Sequence, residues 1–251
     1  MRNKLIYKCN LKLACLVLFF SLRTTAVCVA QNYSSEFWPE TDIWYKLNSA
    51  WRLSTFVPIT KYNESESSDI NIYLNVDYAW GHAQQQMFWR MVDKEKLQIL
   101  KVWMVRAGFM KGWGLRNNTN YAEDMIFSEL HRRIPLINDM LISHRCRVDT
   151  RWLGQDNNFS YRFRYRLMIE KEYKSGHYSI VPYVNIEPYW DSRYSRVVRT
   201  RAISGVTTSF GNCFAIEGNL TYQYDETYDT QGLYALNIIL HIFLERSKMA
   251  R

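Results

Sequence analysis

Apolar and polar residues alternate with a period of two along most of this chain, most clearly over residues 160–194, SYRFRYRLMIEKEYKSGHYSIVPYVNIEPYWDSRY. Arg162, Arg164, Arg166 and Glu170 share one parity, while Tyr161, Phe163, Tyr165, Leu167 and Ile169 share the other. Successive side chains of a β-strand point to opposite faces, so the pattern predicts a strand with one charged and one apolar face. On a helix, three arginines spaced by two would spread around the circumference and leave neither face. Lys174-Ser175-Gly176-His177 predicts a turn, and residues 178–189 a second strand. It sets Ile180, Pro182, Val184 and Ile186 against Ser179, Tyr183, Asn185 and Glu187.

The same alternation recurs on either side. Ile43, Tyr45 and Leu47 alternate with Asp42, Trp44, Lys46 and Asn48; after an Asn48-Ser49 turn, Trp51, Leu53, Thr55, Val57 and Ile59 alternate with Arg52, Ser54 and Phe56. Ile70, Ile72, Leu74, Val76, Tyr78 and Trp80 face away from Asn71, Tyr73, Asn75 and Asp77. Residues 99–109 are strand-like but apolar on both sides, and residues 123–131 suit a helix as well as a strand. Met140, Ile142, His144, Cys146 and Val148 oppose Leu141, Ser143, Arg145, Arg147, Asp149 and Arg151. Residues 197–210 put Arg199 and Arg201 on one parity. Phe214, Ile216, Leu220, Tyr222 and Tyr224 oppose Glu217, Asn219, Thr221 and Gln223. In residues 233–244 the parity of Tyr234, Leu236, Ile238, Leu240, Ile242 and Leu244 is unbroken.

These make about eleven strands of roughly 10 residues, the length of a tilted strand that crosses a bilayer. Single-chain bacterial barrels have even strand counts, so a twelfth strand is expected at residues 84–92. The predicted fold is all-β: one domain, residues 31–251, forming a single antiparallel up-and-down transmembrane β-barrel of about 12 strands. In such a barrel the apolar parity meets lipid and the polar parity lines the lumen. The expected lumen network is Arg145, Arg147, Asp149, Arg151, Arg162, Arg164, Arg166, Glu170, Glu187, Arg199, Arg201 and Glu217. It carries both signs on neighbouring strands. Aromatics make up 16% of the residues, and Phe37, Trp38, Trp80, Trp113, Trp152, Tyr189, Trp190 and Tyr194 fall near strand ends, where interfacial girdles would sit. The competing architecture is a soluble periplasmic β-barrel whose apolar parity points inward and binds an apolar ligand.

The start of the chain changes the charge argument. Arg2, Lys4, Lys8 and Lys12 precede a mostly apolar stretch at residues 13–22, and Val27-Cys28-Val29-Ala30 follows: the layout of a secretory signal peptide. Its apolar core is too short to span a bilayer, so removal of residues 1–30 is expected. Lipidation of Cys28 is disfavoured by the bulk of Val27. The whole chain carries 32 Lys+Arg against 24 Asp+Glu. Five of the positive residues lie in the leader with no acids, so the mature chain keeps 27 against 24, near +3 rather than +8. Nucleic acid is therefore not an expected partner, despite a sequence pI of 9.2. Outer-membrane lipid is, together with the barrel-insertion machinery during biogenesis. Only Cys146 and Cys213 remain beyond the leader, too few for a disulfide scaffold, and their pairing is open.

The residue types that carry chemistry are present but scattered. Of the five histidines, His82 and His177 fall in expected loops, His131 stands beside Arg132 and Arg133, His144 lies on an apolar parity and His241 in the last strand. Ser143 and His144 are adjacent and point to opposite faces, so they form no nucleophile–base pair. There is no Gly-rich phosphate loop, no Gly-x-Ser-x-Gly and no His-Glu-x-x-His. No metal, cofactor or enzymatic activity is expected, although a lipid-modifying enzyme with a lumen histidine is the third reading.

The segments EFWPETDIWYKLN, RVDTRWL, SYRFRYRLMIEKEY and PYVNIEPYWDSRY together resemble the domain of unknown function 2490 family, outer-membrane-type β-barrels of Gram-negative bacteria. The resemblance covers about residues 36–244 and is most specific in the Arg-rich strand and in Asp191-Ser192-Arg193-Tyr194. It implies an exported barrel. The family has no established activity, so it supplies no catalytic residue. One departure is the end of the chain: such barrels usually finish on an aromatic residue, whereas here Leu244 and a basic tail at residues 245–251 follow Phe243. The expected role is a porin-like, non-enzymatic one in the outer membrane: structural, binding or small-solute passage through a charge-lined lumen. The arginines have a plainer reading as well, a salt-bridged plug that stiffens a narrow barrel.

Overall fold

The alternating segments become strands, and the strands close on themselves. The computed structural model describes residues 33–62, 67–82, 101–115, 121–154, 158–175, 178–210, 213–227 and 232–245. Within these the strands are β1 (Tyr33–Lys46), β2 (Trp51–Tyr62), β3 (Ser67–His82), β4 (Lys101–Gly114), β5 (Ala122–Pro135), β6 (Met140–Leu153), β7 (Asn158–Lys171), β8 (Tyr173–Ser175), β9 (Tyr178–Asp191), β10 (Arg196–Phe210), β11 (Phe214–Asp225) and β12 (Gly232–Glu245). The segment that suits either a helix or a strand is strand β5, with Glu123, Met125, Phe127, Glu129, His131 and Arg133 buried on the inward parity and Ile126, Ser128 and Leu130 exposed on the other. The three-residue β8 continues the path of β7 along β9, so the barrel has eleven staves.

Each stave pairs antiparallel with the next from β1 to β12. An even number of reversals leaves β12 running in the same direction as β1, so the pairing that closes the barrel is parallel. Contacts across the seam rise in step: Trp38 packs on Leu233 and Ala235, Asp42 meets His241, and Trp44 stacks on Phe243. The barrel is thus antiparallel throughout except at this seam, which an odd stave number forces. The strand expected at residues 84–92 lies outside the described residues, as does the leader at residues 1–30. β3 and β4, which flank residues 84–92, pair directly with each other.

Turn chemistry matches the tight connections. Asn48 accepts hydrogen bonds from the backbone N–H groups of Ala50 and Trp51 at 2.8 and 2.9 Å and closes the β1–β2 turn. Asn138 and Asp139, both in the left-handed region at φ 58° and 57°, make the β5–β6 turn, a conformation these two residue types tolerate best after glycine.

Burial runs opposite to that of a water-soluble core. Leu74, Ile126 and Val184 are more than half exposed at 55, 55 and 53%, whereas Asp77, Glu129 and Asp149 are 1, 2 and 0% exposed. The apolar parity is outside and the charged parity inside. Two aromatic groups lie on the outer surface near opposite strand ends. At one end Trp51 packs on Tyr78, Tyr78 on Trp80 and Trp80 on Trp103. At the other, Trp152 meets Phe159, and Trp190 meets Tyr161 and Phe163. Phe37, Trp80, Trp113 and Tyr194 are exposed, as expected of a girdle. Trp38 and Tyr189 are corrections: at 9 and 1% exposure both point inward. They share parity with Asp42 and Glu187, and that phase decides their side.

Candidate functional site: a charged lumen

Register assembles the site from inward parities that are far apart in sequence. Across neighbouring strands Arg52 faces Asp77, Asp77 faces Arg106, Arg106 faces Glu129, Glu129 faces Arg147 and Arg147 faces Arg164. The row continues through Tyr189 and Arg199 to Asp225. Opposite charges placed directly across a sheet attract, and in this confined interior they are held at hydrogen-bonding distance.

Arg106 grips Asp77 with two nitrogens, Nε to Oδ1 at 2.6 Å and Nη2 to Oδ2 at 3.0 Å, and Arg52 Nη2 reaches Oδ2 of the same carboxylate at 2.7 Å. Glu129 is the hub of the next group. Arg147 Nη1 lies 2.8 Å from its Oε1, Arg145 Nη1 3.5 Å from Oε1, Arg106 Nη1 3.6 Å from Oε2 and His131 Nε2 2.8 Å from Oε2. Asp149 takes Arg147 on Oδ1 and Arg162 Nη2 at 2.8 Å on Oδ2. Arg145 Nη2 and Arg164 Nε share Glu187 Oε1 at 2.5 and 2.9 Å. Near one rim Arg151 joins Glu123 at 2.5 Å and Asp191 at 3.4 Å.

Tyr189 sits at the centre of the arginines. The guanidinium carbons of Arg164, Arg201, Arg162 and Arg199 lie 4.5, 5.3, 5.4 and 5.7 Å from its ring centre. The ring quadrupole attracts cations to its face, so one neutral side chain relieves part of the repulsion among four positive ones. In the turn after β9, Arg193 closes on Asp191 at 2.7 Å, and that hydrogen bond raises the guanidinium above its ordinary pKa.

Eleven of the twelve charged residues expected in the lumen line a cavity of about 710 Å³: Arg145, Arg147, Arg151, Arg162, Arg164, Arg166, Glu170, Glu187, Arg199, Arg201 and Glu217. The twelfth, Asp149, is fully buried beneath Arg147 and Arg162. The structure divides the set. Glu217 belongs to a separate group, where Tyr183 donates its hydroxyl proton to Oε1, Thr207 donates to Oε2 at 3.2 Å and His241 Nε2 lies 3.2 Å away. Sequence reading missed Asp77, Arg106 and Glu129, the acids and base that connect β3, β4 and β5 to the arginine ladder. Each is the isolated charge of its strand's central stretch, so no run of charges marked it. Their parity, shared with Asn75, Met104 and Phe127, was the signal.

His131 and His241 face carboxylates, whereas His144 is on the outer face, 2.6 Å from the Tyr165 hydroxyl. His82 is the last residue of β3 rather than part of a loop. Cys146 and Cys213 are both exposed and unpaired, Cys146 on the apolar outer parity. Among the described residues no three His, Cys, Asp or Glu side chains converge to hold a metal ion.

Comparison with known proteins gives a family and little beyond it. A family described as "Protein of unknown function (DUF2490)" matches residues 35–233. Among solved structures the barrel is similar to a "Bacterial polysaccharide outer membrane secretin", at 10% identity and a TM-score of 0.44, with 78% of this chain covered. This chain spans 64% of the length of that one. No curated protein matches.

Proposed function

The chain belongs to the family of proteins of unknown function DUF2490, and on that premise we propose that it is a non-enzymatic β-barrel of the bacterial outer membrane that holds small polar solutes in a charge-lined lumen. The observation that carries this reading is the outer surface: an apolar wall with aromatic groups toward both ends of the strands. Trp103 and Trp113 stand ten residues apart on the outer parity of β4. At about 3.3 Å per residue and a usual tilt of about 40°, they are separated by about 25 Å along the barrel axis, the height of the apolar band of an outer-membrane barrel. In water such a wall would be a large aggregating surface. In lipid it needs no cover.

The interior supports binding or restricted passage rather than an open pore. Ion pairs link side chains from β2 to β9 along the lumen wall. An apolar ligand inside is disfavoured, because it would strip water from charged groups without replacing their hydrogen bonds. Outer-membrane lipid and the barrel-insertion machinery are the partners this reading requires.

Fractionation of cells expressing the full chain tests the location. The protein should stay in the membrane pellet through an alkaline wash and sediment with the denser outer membrane. Recovery in the detergent-free soluble fraction overturns the proposal. Planar-bilayer recordings then separate the two lumen roles: a pocket gives no steady conductance, and a passage gives small, discrete steps.

A further inference from the structure

The arginines around Glu187 outnumber what that carboxylate can satisfy. Arg145 on β6 lies directly across from Arg166 on β7. Like charges opposite one another on a sheet repel, so this placement has a cost unless an anion sits between or beside them. Glu187 is already engaged, since both Arg145 and Arg164 hold its Oε1. Arg166 lines the cavity and makes no hydrogen bond or ion pair with any described residue. Beyond Glu187, in register on β10, stands Arg201. It donates to Gln223 Oε1 at 2.6 Å and lies over Trp38 and Tyr189, with no carboxylate partner among the described residues.

A second, independent observation comes from buried polar atoms at the next inward position of β9 and on β6. Asn185, two residues from Glu187 on β9, lines the cavity and is 8% exposed, and its Oδ1 has no hydrogen-bond partner. The Nε of Arg145 is likewise buried without one. Buried polar atoms are nearly always satisfied, so these two are open to a partner supplied by the lumen, water or a bound species.

We propose that Arg166 and Arg201, which flank the single carboxylate of Glu187 in register on either side of β9, form with the Asn185 amide at the next inward position of that strand a binding site for a small free oxyanion, a phosphate or carboxylate group carried in the lumen. This rests on the lumen reading above and names the class of solute it holds. Guanidinium forks match planar carboxylates and phosphate oxygens with paired hydrogen bonds, which chloride cannot reproduce. The Asn185 amide then receives the hydroxyl proton of a hydrogen phosphate or of a hydroxy acid. The cavity volume of about 710 Å³ lies within the range of small-molecule pockets.

The test uses the purified full chain in detergent micelles, titrated calorimetrically with inorganic phosphate, with succinate, and with sodium chloride at matched ionic strength. Phosphate or succinate should bind and chloride should not. Arg166→Gln and Arg201→Gln should each weaken binding about tenfold or more, and Arg166→Lys should fall between wild type and Arg166→Gln. Lys111→Gln, which removes a positive charge from the outer surface, should leave binding unchanged. Arg166→Gln should also unfold at the same denaturant concentration as wild type, since it breaks no ion pair. Equal heats for chloride and phosphate, or unchanged phosphate binding in both glutamine variants, overturn the site. Protein that binds no oxyanion yet fractionates with the outer membrane removes this inference alone; protein that fractionates as soluble removes the membrane reading whatever it binds.

Discussion

The lumen has two walls built on different chemistry. From β3 through β9 it is ionic, and its central carboxylates serve several cations: Glu129 faces Arg106, Arg145, Arg147 and His131, and Asp149 faces Arg147 and Arg162. On β10, β11 and β12 it is mostly neutral. Thr221 donates to Asn219 at 3.2 Å, Asn219 to Glu217 at 3.2 Å, and Asn237 to Asn219 and Thr221 at 2.5 and 3.0 Å. In the neutral wall a lost partner strands one dipole. In the ionic wall a lost carboxylate strands several charges, and the cost of unpaired buried charge far exceeds that of an unpaired amide. The ionic wall is therefore the more brittle one, although its individual contacts are the stronger.

The largest effect is expected from Glu129→Gln, which keeps the shape but removes the shared countercharge of three arginines. A loss of about 3–5 kcal/mol is expected in urea unfolding of the micelle-bound barrel, followed by tryptophan fluorescence. A loss near that of a single hydrogen bond would erase the contrast between the walls. Gly205→Ala comes next. A Cβ there would stand 2.5 Å from Cβ of Asn219 and 2.7 Å from the Tyr183 ring, so the neutral wall should lose about 1–3 kcal/mol by overpacking in the same assay. Asn237→Ala removes two donated hydrogen bonds and should cost about 1 kcal/mol. The smallest effect belongs outside both walls. Lys111 and Asp124 pair at 3.2 Å with 61 and 42% of their side chains exposed, so Lys111→Ala should shift the unfolding midpoint by little or nothing.

Much of the ionic wall was legible before any coordinates. Arg145, Arg147, Asp149 and Arg151 repeat by two within β6, as do Arg162, Arg164 and Arg166 within β7, and a run of like parity declares its own face. Asp77 stood on the polar parity of β3 but outside any run of charges, and Arg106 and Glu129 were not legible as members because a single charge among apolar inward residues gives no period. Residues 123–131 were ambiguous because Glu123 and Asp124 are adjacent and one parity mixes Glu123 and Glu129 with Met125 and Phe127, a pattern that suits either element. Trp38 and Tyr189 were assigned to the girdle from their nearness to strand ends, when parity, which controls direction, puts them in the lumen.

By itself the sequence determined that the chain is all strand, which residues share a face, and that one face is charged while the other is apolar, because a period of two is a local property of extended backbone. The tertiary structure decided how many staves close the barrel, that an odd number makes the β1–β12 seam parallel, and which carboxylate meets which guanidinium. Those are matters of register and closure. Register joins residues such as Asp77, Arg106, Glu129 and Arg147, each on a different strand, and the identity of a cross-strand neighbour is fixed only when every hairpin has been set and the last strand finds the first.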